Sequence, residues 1–301
     1  MNETKNQIFF ELNFYTTLVL TIICLIGNPL VIYIFSRPKF LKVSMFRYWI
    51  AIAIADTLNL LSNWPSVYPD EFLVNEHSIS CKIFYYLYYA LYQMTPWILV
   101  LSSVDRLLSV RYPTALKFRN SFKYQLLAIT CIIAFISLAN IPIYLYHDIK
   151  DVYGCVTTND KLQIYLDLMN ALVMTLIPFF AMVVTTGLIW HQLIDKKKKL
   201  KQENRKRYKK DVQLIKILCI MATYFLLSNL PYCIYMVVCD LLQINAFETL
   251  GLYIVNTLSY GFSACDFFIY FIFNKLFRSY FLTMIKLKKK NRKNNSKSIN
   301  K

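Results

Sequence analysis

Two aspartates, Asp56 and Asp266, stand in stretches that are otherwise free of charge, residues 48–69 and 249–274. If those stretches lie in a bilayer, each carboxylate costs a few kcal/mol and needs a partner. A facing pair of carboxyls shares a proton or holds a cation with oxygen ligands. Asn28, Thr95 and Ser263, each near the middle of such a stretch, would complete an oxygen shell, with sodium as the candidate ion. Plain protonation with hydrogen bonds is the third arrangement, and the residue types leave all three open. A different pair, Asp105-Arg106, sits where the apolar run 83–104 meets a basic segment. Tyr85, Tyr88, Tyr89 and Tyr92 recur at i, i+3, i+4 and i+7, one face of a helix. Near a membrane surface such rings form an interfacial belt. Tyr92, eleven residues beyond Cys81 and so about 16 Å deeper, reads instead as the wall of a cavity. Asn229, Tyr232, Tyr235, Asn256 and Tyr260, in two later apolar runs, would face the same space. An aromatic cavity beneath an acidic rim suits a cationic ligand, through cation–π contact and long-range attraction. No G-x-G-D or H-E-x-x-H pattern occurs in the apolar runs, so intramembrane hydrolysis is not expected and the chain reads as a non-enzyme.

The elements that must position these residues follow from composition. The 301 residues are 57% hydrophobic and 16% aromatic, too oily for a typical soluble protein. Seven runs, 12–36, 48–69, 83–104, 124–147, 168–194, 217–239 and 249–274, are free of charge apart from Asp56 and Asp266. Crossing a hydrocarbon core takes about 20 helical residues, and each run is long enough. The runs are apolar all round, so they are not the amphipathic helices of a soluble fold. The expected fold is all-α, a bundle of seven transmembrane helices. The first run lacks a basic flank and a small-residue cleavage pattern, so it reads as a retained span and not a signal peptide.

Charge sets the expected orientation. Segments 37–47, 105–123, 195–216 and 275–301 hold 30 of the 34 Lys and Arg, and such segments stay cytoplasmic. The N-terminus is then extracellular and the C-terminus cytoplasmic, in a multi-pass protein of the plasma membrane. The basic excess belongs to the inner side, where it matches anionic inner-leaflet lipids as partners and not nucleic acid. The organisation is an extracellular N-terminus at 1–11, a bundle at 12–274, an amphipathic membrane-surface helix at 275–287 and a basic cytoplasmic tail at 288–301. In the surface helix Leu276, Phe277, Tyr280, Phe281, Met284 and Ile285 share one face. Asn2-Glu3-Thr4 is a glycosylation sequon on the outer side. Of eight cysteines, six lie in apolar runs and read as small core residues. Cys81 and Cys155 lie on the oxidising side, either bridged or as two free thiols. Prolines 29, 65, 96, 142, 178 and 231 fall inside the runs, where each removes a backbone donor and makes a hinge.

These residues together resemble the class A, rhodopsin-like G-protein-coupled receptors over all seven helices and the amphipathic helix. "GNPLV" in helix one, "AIADTLNLL" in helix two, and Cys81 with Asp105-Arg106-Leu107 in helix three match family motifs. So do Phe225 and Pro231 in "FLLSNLPY" and Asp266 and Tyr270 in "DFFIY". The departures are Leu107 for Tyr, Ile132 for the Trp of helix four, Thr186 for the Tyr of helix five, Asn229 for the Trp of helix six and Phe267 for the Pro of helix seven.

The resemblance implies a Cys81–Cys155 disulfide, a heterotrimeric G protein as partner, and a switch built on Asp105, Arg106 and Tyr270. It also places an acid at Asp211, twenty residues before Pro231, able to pair with Arg106 in the closed state. A lysine for retinal is missing from helix seven, and Tyr88 stands where monoamine receptors carry an acid. "YQMTPWILVLSSVDRLLSVRYP" and "FFIYFIFNKLFRSYF" resemble invertebrate FMRFamide-like peptide receptors, which implies a short basic neuropeptide as the extracellular ligand. An ion transporter or channel using Asp56 and Asp266 is the alternative from another class.

Overall fold

A computed structural model of the chain describes residues 2–67, 77–112, 121–150, 154–157, 160–198, 205–242 and 250–286. The side chain of Asn2, the rim acids Asp70, Glu71, Glu76 and Asp151, and the tail 288–301 lie outside the described residues. The first span is α1 (Asn2–Phe35), followed by a single turn α2 (Pro38–Leu41). The second is α3 (Ser44–Ser62) with α4 (Trp64–Val67), and the third is α5 (Ser78–Arg111). The fourth is α6 (Phe122–Ala139) with α7 (Ile141–Tyr146). A hairpin of β1 (His147–Lys150) and β2 (Gly154–Thr157) comes next. The fifth span joins α8 (Asp160–Asn170), a π-helical segment (Ala171–Leu176) and α9 (Ile177–Lys198). The sixth is α10 (Arg205–Leu241), and the seventh joins α11 (Leu250–Ala264) to α12 (Asp266–Phe273). Residues 275–286 form a last helix, α13.

The fold is the expected seven-helix bundle. Glu11–Phe35, Phe122–Tyr146, Ile164–Asp195 and Asp211–Cys239 are long and apolar enough by length and composition alone to cross a membrane. The other three spans are more polar or broken, because they carry the buried acids, hydroxyls and amides of the interior. The outward faces of the first, fourth, fifth and sixth spans are apolar: Ile26, Leu127, Phe180 and Leu227 are each at least half exposed. So many large apolar side chains are stable outside only against lipid. The six cysteines of the apolar runs divide for the same reason. Cys24, Cys233 and Cys239 are buried, but Cys131 and Cys219 are exposed, which corrects their reading as core residues. In lipid, apolar character no longer implies an interior position.

Three of the six prolines sit near the start of an element, where the missing donor costs least. Pro65 and Pro142 open α4 and α7, and Pro178 follows the π segment, whereas Pro29, Pro96 and Pro231 lie inside continuous helices. At 34 residues, about 51 Å of helix, α5 is the central strut, packed against α3, α6, α7, α9, α10 and β1. Gly27 brings α1 close to α12, since a Cβ there would stand 3.0 Å from the Cβ of Phe267. Near the Arg106 end, an aromatic cluster ties α1, α3, α12 and α13 together. Phe35 lies 4.9 Å from Phe46, 5.1 Å from Tyr270 and 5.2 Å from Phe277 between ring centres. Trp49 stacks on Tyr270 at 4.8 Å. Such pairs add about 0.5–1.5 kcal/mol each beyond the area they bury. Phe277 of α13 is fully buried in that cluster, while Leu282 and Ile285 are exposed. The helix therefore rests on the bundle by one side and turns a second apolar edge outward.

Candidate functional site

Four polar layers follow one another along α5. At the Cys81 end the hairpin is fastened to α5 by the Cys81–Cys155 disulfide, with Cα atoms 5.6 Å apart. The pairing of Ile149 with Cys155 and of His147 with Thr157 fixes how the hairpin lies. His147 stacks on Tyr85 at 4.7 Å, and its Nδ1 meets the Ile143 carbonyl at 3.0 Å. Burial holds this imidazole below its usual 6.5. Asp148 is held below the usual carboxylate range, chiefly by the Ser78 hydroxyl, then by the Ile149 amide and Lys82, whose ammonium is 3.5 Å away.

Below the hairpin the tyrosine ladder separates. Tyr88 shares a hydroxyl hydrogen bond with Tyr260 of α11. Tyr92 donates to Asn229 Oδ1 at 2.7 Å and meets Ser259 Oγ at 2.7 Å, and Ser259 donates to Asn229 Oδ1 at 2.8 Å. Asn229 Nδ2 in turn donates to the Phe225 carbonyl of its own helix. Tyr232 lies 6.2 Å from Tyr92, ring to ring. Tyr235 lies so close to Gly251 that a Cβ there would be 2.6 Å from the ring. Asn256 is half-buried in α11. Tyr89 departs from the group and packs against Ile143 and Leu166. On the other side of α5, Gln93 bonds Asn140 and Asn170, with Nε2 to Asn170 Oδ1 at 2.9 Å, so α5 is joined to α6 and to the residue preceding the π segment.

Midway along the bundle Asp56 and Asp266 are both fully buried. Asp56 Oδ1 accepts from Thr95 and Ser263, each at 2.8 Å. Asp266 lies within electrostatic range of Asp56. Asn28 donates to Thr57 at 3.2 Å and to Cys24 at 3.1 Å, so its amide holds the neighbouring turn and not the carboxyl itself. Asn28 Oδ1, Asp56 Oδ2 and both Asp266 oxygens are buried with no hydrogen-bond partner. That is an oxygen-only donor set of the kind hard cations take. Among the described residues no group of three or more His, Cys, Asp or Glu gathers, so a transition-metal centre has no counterpart there.

At the far end, Arg106 Nη2 pairs with Asp211 Oδ1 of α10. Neighbouring Asp105 turns the other way and accepts from the Ser44 hydroxyl of α3. The two halves of the Asp-Arg pair thus tie α5 to different helices. Tyr270 is fully buried, donating to Met221 Sδ at 3.6 Å. Arg47 reaches from α3 to Gln125 of α6 and to the Leu41 carbonyl at 3.0 Å.

Ser44, Gln93, Gln125, Asn140, Asn170 and Ser259 were not singled out by the residue pattern. Each is an uncharged polar residue, in an apolar run except for Ser44 in the basic segment 37–47, and only the rotation of its helix tells whether it meets a partner. The sole signal available was their rarity there.

The chain matches the family described as 7 transmembrane receptor (rhodopsin family) over residues 27–270. It is 24% identical over 294 residues to the type-1 angiotensin II receptor of Meleagris gallopavo, an overlap of 89% of this chain and 79% of that one. The same values hold for the type-1 angiotensin II receptor of Gallus gallus.

Proposed function

Because the chain belongs to the rhodopsin family of seven-transmembrane receptors, a family of receptors and not of enzymes, we propose that it binds a short basic neuropeptide outside the cell and activates a heterotrimeric G protein inside. The observation that carries this reading is the Arg106–Asp211 pair, which bridges the third and sixth spans at the basic end. Toward the other end Tyr88, Tyr92, Asn229, Ser259 and Tyr260 form a hydrogen-bonded aromatic and polar layer. A ligand that binds better when the basic end is open shifts the equilibrium toward opening.

The orientation is N-terminus outside, in the plasma membrane. Two independent features support it: the basic segments gather at one end, and a disulfide, which needs an oxidising compartment, lies at the other. Tyr88, Tyr92, Asn229, Tyr232, Tyr235, Asn256 and Tyr260 are the residues we assign to the ligand. Their neutral, aromatic chemistry supports a ligand whose positive charge is held by ring faces and by acids nearer the rim. The two bird relatives are type-1 angiotensin II receptors by name, which supports an extracellular messenger as ligand class. Asp56 and Asp266 are assigned a sodium ion, for which the four unpartnered oxygens are the support.

The test is nucleotide exchange by purified heterotrimers of each class, with the receptor in lipid discs and a library of short Arg-containing peptides. Peptide-dependent exchange is expected for at least one heterotrimer. Ion current or flux with no exchange on any heterotrimer would replace the receptor reading with transport.

A further inference from the structure

The buried face of the fifth span changes step once. In α9 it falls on Met182, Thr185, Ile189 and Leu193, at intervals of three and four residues, the period of an α-helix. Pro178 and Thr175 continue that series toward the disulfide end, and the next buried residues are Asn170 and then Leu166. The interval from Thr175 to Asn170 is five residues, and it spans the π segment Ala171–Leu176. A π turn holds one residue more than an α turn, so everything before it is displaced by one position. Had the helix run on without the insertion, Ala171 would stand where Asn170 stands and Asp167 where Leu166 stands.

Both registers satisfy the helical period, so contacts outside the fifth span decide between them. Asn170 is held by Gln93 of α5, whose Nε2 donates to Asn170 Oδ1 at 2.9 Å and to Asn140 Oδ1 at 3.3 Å. Asn140 Nδ2 returns a bond to Gln93 Oε1 at 2.9 Å and gives its other proton to the Ile136 carbonyl at 2.8 Å. All four amide protons of Gln93 and Asn140 thus have an acceptor, and Asn170 supplies one that Ala171 lacks. One turn outward, Leu166 closes an apolar cluster with Tyr89 and Ile143, a place an acid would enter only at a cost. Tyr89 in turn lies against Tyr88, 5.5 Å between ring centres, at the edge of the layer assigned to the ligand.

We propose that Gln93 is a positioning residue that holds the outer half of the fifth span one residue out of step, and that this span has a second, uninterrupted register in which α8 is turned by about 100°. Which side chains α8 shows to a peptide is then set by the amide cluster. That consequence for the ligand rests on the receptor reading above; the register itself does not.

Distances between spin labels in lipid discs test the proposal with no ligand present. Cys131, Cys219 and Cys265, the free thiols that are not buried, are replaced by Ala, and labels are placed on Tyr165→Cys of α8 and Ile254→Cys of α11, both exposed positions. With Gln93 intact a single distance is expected. Gln93→Met, which keeps the length of the side chain and removes its hydrogen bonds, is expected to raise the share of a second distance about tenfold, the equivalent of ~1.4 kcal/mol. Adding Asp167→Leu, which lets residue 167 enter the apolar cluster, is expected to make the second distance the main one. Two checks separate a change of register from loosened packing. In that double variant a label on Leu166→Cys should report the distance that the Tyr165→Cys label reports with Gln93 intact. Deleting Leu172 from the double variant removes the extra residue and should return the Tyr165→Cys label to its original distance. Asn170→Leu breaks the same bond from the α8 side, guards against a variant that fails to fold, and is held to the same outcomes. A double variant that keeps the single original distance overturns the proposal, and so does a second distance that the deletion leaves in place. Either result leaves the receptor reading standing, because that reading is tested by nucleotide exchange alone.

Discussion

Replacing Asp211 with Ala tests the tie at the basic end. The side chains of Arg106 and Asp211 are 6% and 21% exposed, so the pair is mostly withdrawn from water yet not dry. A fully exposed pair would be worth at most about 1 kcal/mol, and a hydrogen bond to a charged group contributes about 1.5–3 kcal/mol. Taking about 2 kcal/mol for the partly exposed case, its loss multiplies the open-to-closed ratio by about 30. The variant also leaves Arg106 buried without its acid, which penalises the closed form further. If the closed form leads by about a hundred to one, the open share rises from about 1% to about a quarter. The assay is ligand-free nucleotide exchange by a purified heterotrimer, with matched amounts of wild type, Asp211→Ala and Asp211→Asn in lipid discs. Asp211→Ala is expected to exchange at least tenfold faster than wild type, and Asp211→Asn, which keeps an acceptor without its charge, to fall between. If Asp211→Ala remains within twofold of wild type, the ion pair is no more than an exposed contact and the assignment of a closing role to it fails.

Three further outcomes follow from the other layers. The Cys81–Cys155 bridge spans 74 residues of sequence, for which loop-closure entropy gives about 4 kcal/mol; Cys155→Ser is expected to lower the Tm of the solubilised protein by several degrees, and an unchanged midpoint would deny the bridge its stabilising role. Asp56→Asn removes one of the two carboxyls of the cation site, so basal exchange that responds to replacing sodium with N-methylglucamine in wild type should lose that response, and an identical response in both proteins rules the site out. His147 has its folded pKa below the unfolded 6.5, so the neutral ring is the stabilising form: its contribution is complete above 6.5 and is lost as pH falls through the lower folded value. Amide protection in the β1–β2 hairpin should therefore decline in mildly acidic solution in wild type and stay level in His147→Phe; equal decline in both would place the titration elsewhere. Asp148, whose folded pKa is also depressed, likewise loses its contribution on binding a proton, but only in more acidic solution, below 3.8, which keeps the two effects apart.

How much of this was legible beforehand depends on charge. Ionised residues are so costly in a bilayer that their absence marks spans and their presence marks sites. The seven runs and the pair Asp56 and Asp266 could therefore be read from residue types alone, and the spacing from Pro231 to Asp211, once the family resemblance was recognised, led to an acid that does meet Arg106. Uncharged polar residues give no such signal. Four tyrosines at helical spacing describe one face of α5, but a strut in the middle of a bundle has neighbours on every side, and a face about 100° wide meets more than one. Tyr85 went to the hairpin, Tyr89 to Ile143 and Leu166, Tyr88 to Tyr260, and Tyr92 to Asn229 and Ser259. Asn28, expected in the oxygen shell, spends its Nδ2 on Thr57 of α3 and Cys24 of its own helix, which leaves its Oδ1 as the oxygen without a hydrogen-bond partner.

The ties that hold the sixth span are of two kinds, and the difference bears on what each partner must supply. At the basic end the tie is ionic, so separating it leaves a buried guanidinium that only another acceptor-rich surface satisfies. Nearer the disulfide end the tie is neutral, the Tyr92 and Ser259 hydroxyls both donating to Asn229 Oδ1, so separating it leaves no uncompensated charge. Moving a receptor from about 1% to 99% open takes about 5.5 kcal/mol of preferential binding. Neither tie is that strong: the ionic one contributes about 2 kcal/mol and the neutral one about the same for its two bonds. A ligand acting on the neutral tie alone therefore leaves the ionic tie largely in force, and a G protein acting on Arg106 alone leaves the neutral tie closed. Both partners are needed for full opening, and each should bind more tightly when the other is present, by the same factor.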